Sequence, residues 1–318
     1  MCERITSISI DTPFQVGPIH SFLLHGEVLS LIDAAPRTEV ARAQIIEQLA
    51  AQQVELGQIE QLILTHHHPD HAGWTDLFPN AVVIGHRYTG EWMARSESFF
   101  NWHYSFFMQT LLSFGVPEHF LYWKKAVEGN FQYMAKRPMD QFLQEGDYLP
   151  HHPHWIVYET LGHAQSHFIF VHEETRECFG GDMLLSGTLP NPLLEAPLEI
   201  GAERPKSLVQ YRDSLIKMRE LELSRVYAAH DAIIIDNPNE LIDMRLTQIE
   251  RRLDRLLKHV TAQPKTVFQL TQEMYPTKYD KILGLTLSQV IGQLDLLVLR
   301  GDVIEHLNAC GVYEYVRA

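Results

Sequence analysis

Cysteine is scarce in this 318-residue chain. The three present, Cys2, Cys178 and Cys310, make no paired framework and no C-x-x-C spacing. That argues against a disulfide-stapled scaffold and fits a reducing, cytoplasmic setting. Long apolar runs are missing too. None reaches the roughly 18 residues that span a bilayer. The opening Met-Cys-Glu-Arg-Ile-Thr-Ser has no apolar signal core, so a soluble protein without a membrane partner is expected. Basic side chains are few: 26 Lys and Arg stand against 40 Asp and Glu, a formal net charge of −14. A surface this acidic repels phosphate backbones. It speaks against nucleic acid as a partner, while leaving room for a nuclease with a local basic cleft. Internal repeats and low-complexity segments are absent.

What is there is an apolar content of 45%, enough for a sizeable core. The length suits two domains, or one large domain with an appendage. Ile19–Leu24 and Val28–Ile32 are short apolar runs on either side of His25-Gly26-Glu27, a hairpin pattern. Thr38 precedes a helical pattern through Gln53 that puts Val40, Ile45, Ile46 and Leu49 roughly on one face. Ile59–Thr65 is β-prone, a short helix is expected through Leu77, and Ala81–Ile84 reads as a strand. Strand signals return between Phe142 and Asp182, a helix is expected over Leu208–Met218, and Arg225–Ala229 is a strand ending at His230.

The 18 histidines matter through their placement. Thr65-His66-His67-His68-Pro69-Asp70-His71 contains H-x-H-x-D-H directly after an apolar strand. Alternate residues of an extended segment point the same way, so His66 and His68 can reach one metal. The chain then turns at Pro69, and Asp70 and His71 can face a second position. Imidazole and carboxylate together suit zinc, and also iron or manganese. The bland reading is a histidine-rich surface loop, and the downstream residues weigh against it.

This motif resembles the hallmark of the metallo-β-lactamase superfamily, and the resemblance continues in order. Thr160-Leu161-Gly162-His163-Ala164-Gln165-Ser166-His167 is similar to the family's T-P-G-H-T-x-x-H segment, with Leu161 in place of the usual proline. Gly180-Gly181-Asp182 resembles the segment carrying a bridging aspartate, and Ala229-His230-Asp231 the segment of the last ligand, with different flanks. Together these cover about residues 5–235. The resemblance implies an α/β fold, a four-layer αβ/βα sandwich with metals at one edge. It implies two divalent transition-metal ions, zinc before iron or manganese. His66, His68 and His163 would hold the first, Asp70, His71 and His230 the second, and Asp182 would bridge them. Asp70 would also act catalytically by orienting water. The implied reaction is hydrolysis of a small-molecule substrate by a metal-bridging hydroxide. An ester or thioester comes first, with a phosphodiester or RNA, or a lactone, as alternatives. His167 is expected to support a ligand rather than be one. His151, His152 and His154 read as a loop entering a strand, and His67 should face away from its neighbours.

Two segments fall outside that core. An insertion at about 87–136 is helical and aromatic; Phe99–Phe114 has ten large apolar or aromatic side chains in sixteen positions. Such a helix wants burial on several sides. A packed helix pair, a wall over the substrate and a dimer interface, hence a possible homodimer, all remain open. From residue 239 the charge balance changes. Residues 1–238 carry 16 basic and 30 acidic side chains, and residues 239–318 carry 10 of each. A long helix over Glu240–Val260, two shorter ones over Val267–Tyr275 and Leu285–Arg300, and a β-hairpin make the order of a winged-helix module. The division expected is therefore a catalytic domain over 1–238 and a winged-helix-like domain over 239–318. The would-be recognition helix, Leu285–Arg300, has Asp295 and Arg300 as its only charges. Groove-reading helices need basic and amide side chains at base edges and phosphates, so this one is better suited to packing.

Overall fold

Strands rich in buried β-branched and aromatic residues build two six-stranded sheets in the computed structural model, which describes residues 4–120, 128–187 and 189–318. Cys2 and part of the aromatic insertion lie outside the described residues. The first sheet runs in order β1 (Arg4–Ile10), β2 (Ile19–His25), β3 (Leu29–Ile32), β4 (Gln61–Ile63), β5 (Val82–His86) and β6 (Gln141–Leu143). β1–β2–β3 is an antiparallel meander, and β3–β4–β5–β6 is parallel. The second sheet holds β7 (Tyr148–Leu149), β8 (His152–Glu159), β9 (Phe168–His172), β10 (Glu177–Gly181), β11 (Arg225–Ala228) and β12 (Ile234–Ile235). It is antiparallel except at β10–β11.

The sheets face each other. Phe22, Leu24, Ile32, Ile63 and Ile84 from the first meet Trp155, Val157, Phe168, Phe170 and Phe179 from the second. Each such side chain taken fully out of water contributes roughly 1.5–3 kcal/mol. The outer face of the first sheet is covered by α1 (Glu39–Ala51), which Thr38 caps by accepting the Ala41 N–H. Its buried stripe is Ala41, Ile45 and Leu49, whereas Val40 and Ile46 face solvent, 60% and 40% exposed. The apolar stripe is thus narrower than the four-residue face expected. The outer face of the second sheet is covered by α4 (Ser207–Glu220). Helix, sheet, sheet, helix is the four-layer α/β sandwich. The short helix expected before Leu77 does not form; residues 69–80 are turns, and Trp74 N–H bonds instead to the Ala34 and Ala35 carbonyls.

Within the insertion, α2 (Arg87–Ala94) leads into α3 (Glu97–Ser113), capped by Ser96. The C-terminal segment folds as α5 (Pro238–Leu257), α6 (Val267–Met274) and α7 (Leu283–Arg300), with a three-stranded sheet in order β13 (Lys265–Thr266), β15 (Tyr313–Arg317), β14 (Val303–Leu307). Pro238 sits at the start of α5, Thr266 and Gln269 form a reciprocal capping box on α6, and Gly301 ends α7 in the left-handed region, φ +79°. Helix α7 is apolar enough by composition to cross a membrane, but 67% of it is buried inside the protein. It packs on α4 and α5, and its Val290, Ile291 and Leu294 share one core with Ile169, Tyr211 and Leu215. Arg204, mostly buried ahead of α4, clamps Asp295 on α7 through two hydrogen bonds of 2.8 and 2.6 Å.

Chain order then decides where chemistry can sit. Asp33 follows β3, His66 to His71 follow β4, His163 lies between β8 and β9, Asp182 follows β10, and His230 follows β11. These are the carboxyl ends of strands in both sheets, where irregular backbone is free to present side chains.

Candidate metal centre

All seven sequence-proposed ligands converge. Among the described residues, His66, His68, His163 and Asp182 form one group whose ligand atoms lie within 4.8 Å of one another, and Asp70, His71 and His230 form a second. In the first, His68 Nδ1 stands 2.9 Å from His66 Nε2 and 3.1 Å from His163 Nε2. Ligands about 2.0–2.1 Å from a tetrahedral zinc stand about 3.3 Å apart, so this spacing suits a shared cation. Asp182 faces both groups. Its Oδ2 is 3.4 Å from His163 Nε2, and its Oδ1 is 3.3 Å from His71 Nε2 and 3.5 Å from His230 Nε2. Asp70 Oδ2 completes the second group 3.4 Å from His230 Nε2.

The surrounding hydrogen bonds fix which ring nitrogen is bare. Thr65 Oγ1 gives its one proton to Asp33 Oδ2 at 2.8 Å, so it accepts from His66 Nδ1–H at 3.1 Å. His71 Nδ1–H donates to Asp33 Oδ2 at 2.7 Å, and His230 Nδ1–H donates to the Pro18 carbonyl at 2.7 Å. In all three rings the lone pair on Nε2 is left facing the centre, the arrangement a metal-binding histidine needs. His71 Nε2, His230 Nε2 and Asp182 Oδ1 are buried with no hydrogen-bond partner. Three orphaned lone-pair atoms converging in this way, with no donor among them, fit bound cations.

The electrostatics agree. Burial, then the neighbouring histidines, hold His66 and His68 well below the ordinary histidine range, so both are neutral, the form that can bind a metal. Burial alone would lower His71 as well, but Asp182 and Asp33 overcome it and hold it well above that range. Burial pushes Asp182 up, yet His230 and His71 outweigh it and keep the carboxylate ionised. Without a cation, a proton on His71 balances that charge.

Glycine makes the close approach possible. At Gly162 (φ +124°), just before His163, a Cβ would fall 2.2 Å from the Tyr211 backbone nitrogen. At Gly181 (φ +49°), just before Asp182, it would fall 2.7 Å from His167 Nε2. His167 supports the site as expected: its Nε2 accepts the Asp182 N–H at 3.1 Å and its Nδ1–H donates to Thr160 Oγ1 at 2.9 Å. His152 is buried at the start of β8 and bonds Ser30 Oγ at 2.8 Å, a structural role.

The chain belongs to the metallo-beta-lactamase superfamily. The family's sequence model matches residues 15–230. The chain is 35% identical to a probable metallo-hydrolase, YqjP, of Bacillus subtilis, over 98% of this chain and 97% of that protein. A shorter stretch of 99 residues is 33% identical to an atrochrysone carboxyl ACP thioesterase of Aspergillus fumigatus, covering 31% of this chain and 20% of that protein. A metallo-beta-lactamase family protein from Thermus thermophilus shares the fold, with TM-score 0.80 and 24% identity over 99% of this chain and 98% of that one. The protein is a metallo-hydrolase of this superfamily with a His/Asp metal-binding cluster.

Two residues of this superfamily site carried no motif. Asp33 (φ +61°), buried and in the left-handed region, accepts Thr65 N–H, Thr65 Oγ1–H and His71 Nδ1–H. Its one sequence signal was an acid at the end of the apolar run Leu29–Ile32. Glu195, buried in the irregular segment after Asp182, accepts His67 Nε2–H at 3.0 Å and Gln165 N–H at 2.6 Å. His67 does turn away from the metal groups, and it stacks flat on Trp92 with centroids 4.9 Å apart.

Beside the centre lies a cavity of about 390 Å³. Its floor includes His68, Pro69 and Glu195; α3 supplies His103, Phe107 and Leu111; the start of α7 supplies Leu283, Leu287 and Ser288. One face of α3 therefore lines the cavity, while Phe106 packs into the core and Trp102 Nε1–H donates to the Pro197 carbonyl at 3.1 Å.

Proposed function

We propose that the protein is a binuclear hydrolase of acyl esters or thioesters, with zinc as its metal before iron or manganese. The observation that carries the substrate class is the mainly apolar cavity reaching His68, walled by Phe107, Leu111, Leu283 and Leu287. An acyl chain buries its methylenes there at roughly 0.8 kcal/mol each. Among the described residues that line the cavity, Lys281 is the one lysine or arginine, which supports a small acyl substrate over a polyanion. The likeness to a thioesterase over 99 residues adds to this reading. Divalent cations held by the two groups would supply Lewis acidity to a carbonyl oxygen and lower the pKa of water. Asp182, with one oxygen toward each group, would serve both, and Asp70, in the second group, would help orient the water. The apolar wall excludes bulk water from the reacting carbonyl.

The test is kinetic. Zinc- and manganese-reconstituted protein is assayed on acyl-CoA and p-nitrophenyl esters from two to twelve carbons, beside bis-p-nitrophenyl phosphate, single-stranded RNA and a lactone. The expected result is the highest kcat/KM on an ester or thioester, rising with chain length until the cavity is full. A preference for the phosphodiester, the RNA or the lactone overturns the assignment.

A further inference from the structure

Among the first-group ligands His68 is the exception, because it turns Nδ1 rather than Nε2 toward the other ligand atoms. A neutral imidazole that binds through Nδ1 carries its proton on Nε2. His68 Nε2 is buried and has no hydrogen-bond partner. The acceptor beside it is Glu195 Oε1, 3.9 Å away.

We propose that Glu195 is a positioning residue for the first metal position, the carboxylate toward which His68 Nε2–H is directed. The same side chain braces both loops that deliver ligands to this group. Its Oε1 takes His67 Nε2–H at 3.0 Å, between His66 and His68 in sequence. Its Oε2 takes the N–H of Gln165 at 2.6 Å, two residues beyond His163. His67 is locked for this role: Ser166 Oγ–H donates to its Nδ1 at 2.8 Å and accepts its backbone N–H at 3.1 Å, so Nε2 carries the proton. A carboxylate oxygen has two lone pairs, so Oε1 can serve His67 and His68 together. A carboxylate accepting from a ligating histidine fixes the ring and raises its basicity, and losing such a partner typically costs 10–100-fold in metal affinity. His67, His68 and Glu195 are also close enough to hold a cation of their own. That arrangement would require His68 to give both ring nitrogens to metal and His67 to surrender a proton it already donates, so the positioning role is the better fit.

Glu195→Gln keeps the shape and removes the charge. Zinc binding to the apo protein is measured by chelator competition, with the cobalt(II) absorption spectrum as a second readout. Wild type should bind two equivalents. In E195Q, whose amide must turn N–H₂ toward one of the buried donors, one equivalent should weaken 10–100-fold and the other hold, with an altered cobalt spectrum and a somewhat lowered apo-protein Tm. If E195Q does not fold, the ring ¹⁵N–¹H spectrum of zinc-loaded wild type decides: a slowly exchanging, downfield His68 Nε2–H supports the proposal, and a freely exchanging one overturns it. Unchanged affinities, equal weakening of both equivalents, or a third zinc equivalent lost in E195Q also overturn it.

Discussion

Asp33 Oδ2 stands 2.7 Å from His71 Nδ1 and 2.8 Å from Thr65 Oγ1. One carboxylate oxygen, held by a residue in the left-handed region, thereby orients His71 directly and His66 through the Thr65 hydroxyl. The two metal groups are coupled through this side chain as well as through Asp182. An acid that looks incidental in sequence sets the tautomers of two ligands.

Asp33→Asn should separate that role from simple burial. An asparagine would have to turn an N–H₂ toward one of three donors. Metal affinity should fall by roughly 10–100-fold, with His71 affected most. Chelator competition on the purified variant measures this; wild-type affinity for both equivalents would remove Asp33 from the ligand-orienting set.

Asp182→Asn tests the bridge. With each oxygen facing a different group, loss of the carboxylate should reduce metal content from two equivalents toward one and turnover by orders of magnitude. Elemental analysis and kcat/KM on the same preparation check both. Near-normal turnover with full metal content would contradict it.

The candidate ligands were legible as a group because their chemistry comes in short runs: H-x-H-x-D-H, Gly-His and Gly-Gly-Asp each follow a strand and keep the family's order. The layers were legible because strand and helix periods show in the apolar pattern. Asp33 and Glu195 escaped because a lone buried acid gives no period and no spacing; its partners, Thr65 and His71 or His67 and Gln165, lie 30 or more residues from it, or more than 120 in the case of His67. Val40 and Ile46 were misplaced on α1 because a helix face of three buried residues leaves neighbouring apolar positions in solvent. The cavity was half legible. Aromatic density marked α3, yet only the fold shows that His103, Phe107 and Leu111 line the cavity beside the centre while Phe106 does not, and that the start of α7 lines it too.

Gly181→Ala should injure the site more than the fold. Alanine at φ +49° costs about 1–2 kcal/mol, and its Cβ would press on His167 Nε2, which accepts the Asp182 N–H. The expectation is a modestly lowered Tm with a clear loss of bound metal, measured by calorimetry and elemental analysis. Full metal content at wild-type affinity would show that His167 does not hold Asp182 in place.

His103 gives the cavity wall an acid limit. Burial lowers its pKa to about 4, below the ordinary value near 6.5. Its Nε2 lies 2.9 Å from Tyr88 Oη, which donates to the Ala196 carbonyl at 2.8 Å. The ring therefore donates as a neutral imidazole. A histidine depressed on folding contributes stability that is complete above pH 6.5 and is lost as pH falls through about 4. The loss approaches roughly 3 kcal/mol when the unfolded chain is protonated and the folded one is not. Denaturant unfolding of wild type and His103→Phe between pH 4 and 7.5 should show a shallower acid limb in the variant. Parallel limbs would contradict the neutral, buried assignment.

Phe107→Ala and Trp102→Ala separate a cavity-lining position from one outside the cavity. Phe107 both lines the cavity and belongs to the core, whereas Trp102 packs against that core outside the cavity and bonds Pro197. If acyl chains occupy the space between α3 and α7, deleting the Phe107 ring removes a contact surface worth on the order of 1–3 kcal/mol to a chain long enough to reach it. The kcat/KM for an eight- to ten-carbon thioester should then fall about 10-fold or more relative to the acetyl substrate, which does not reach the ring. Trp102→Ala should lower Tm through lost packing and leave the ranking of chain lengths unchanged, because its side chain is directed to the loop carrying Pro197. Phe107 is itself buried in the same core, so both variants should lose stability, and the readout that separates them is selectivity, which should change in Phe107→Ala alone. A Phe107→Ala enzyme with the wild-type chain-length profile would mean that the acyl group binds elsewhere. The same change of profile in both variants would mean that α3 acts as one packed unit, without a dedicated face for substrate.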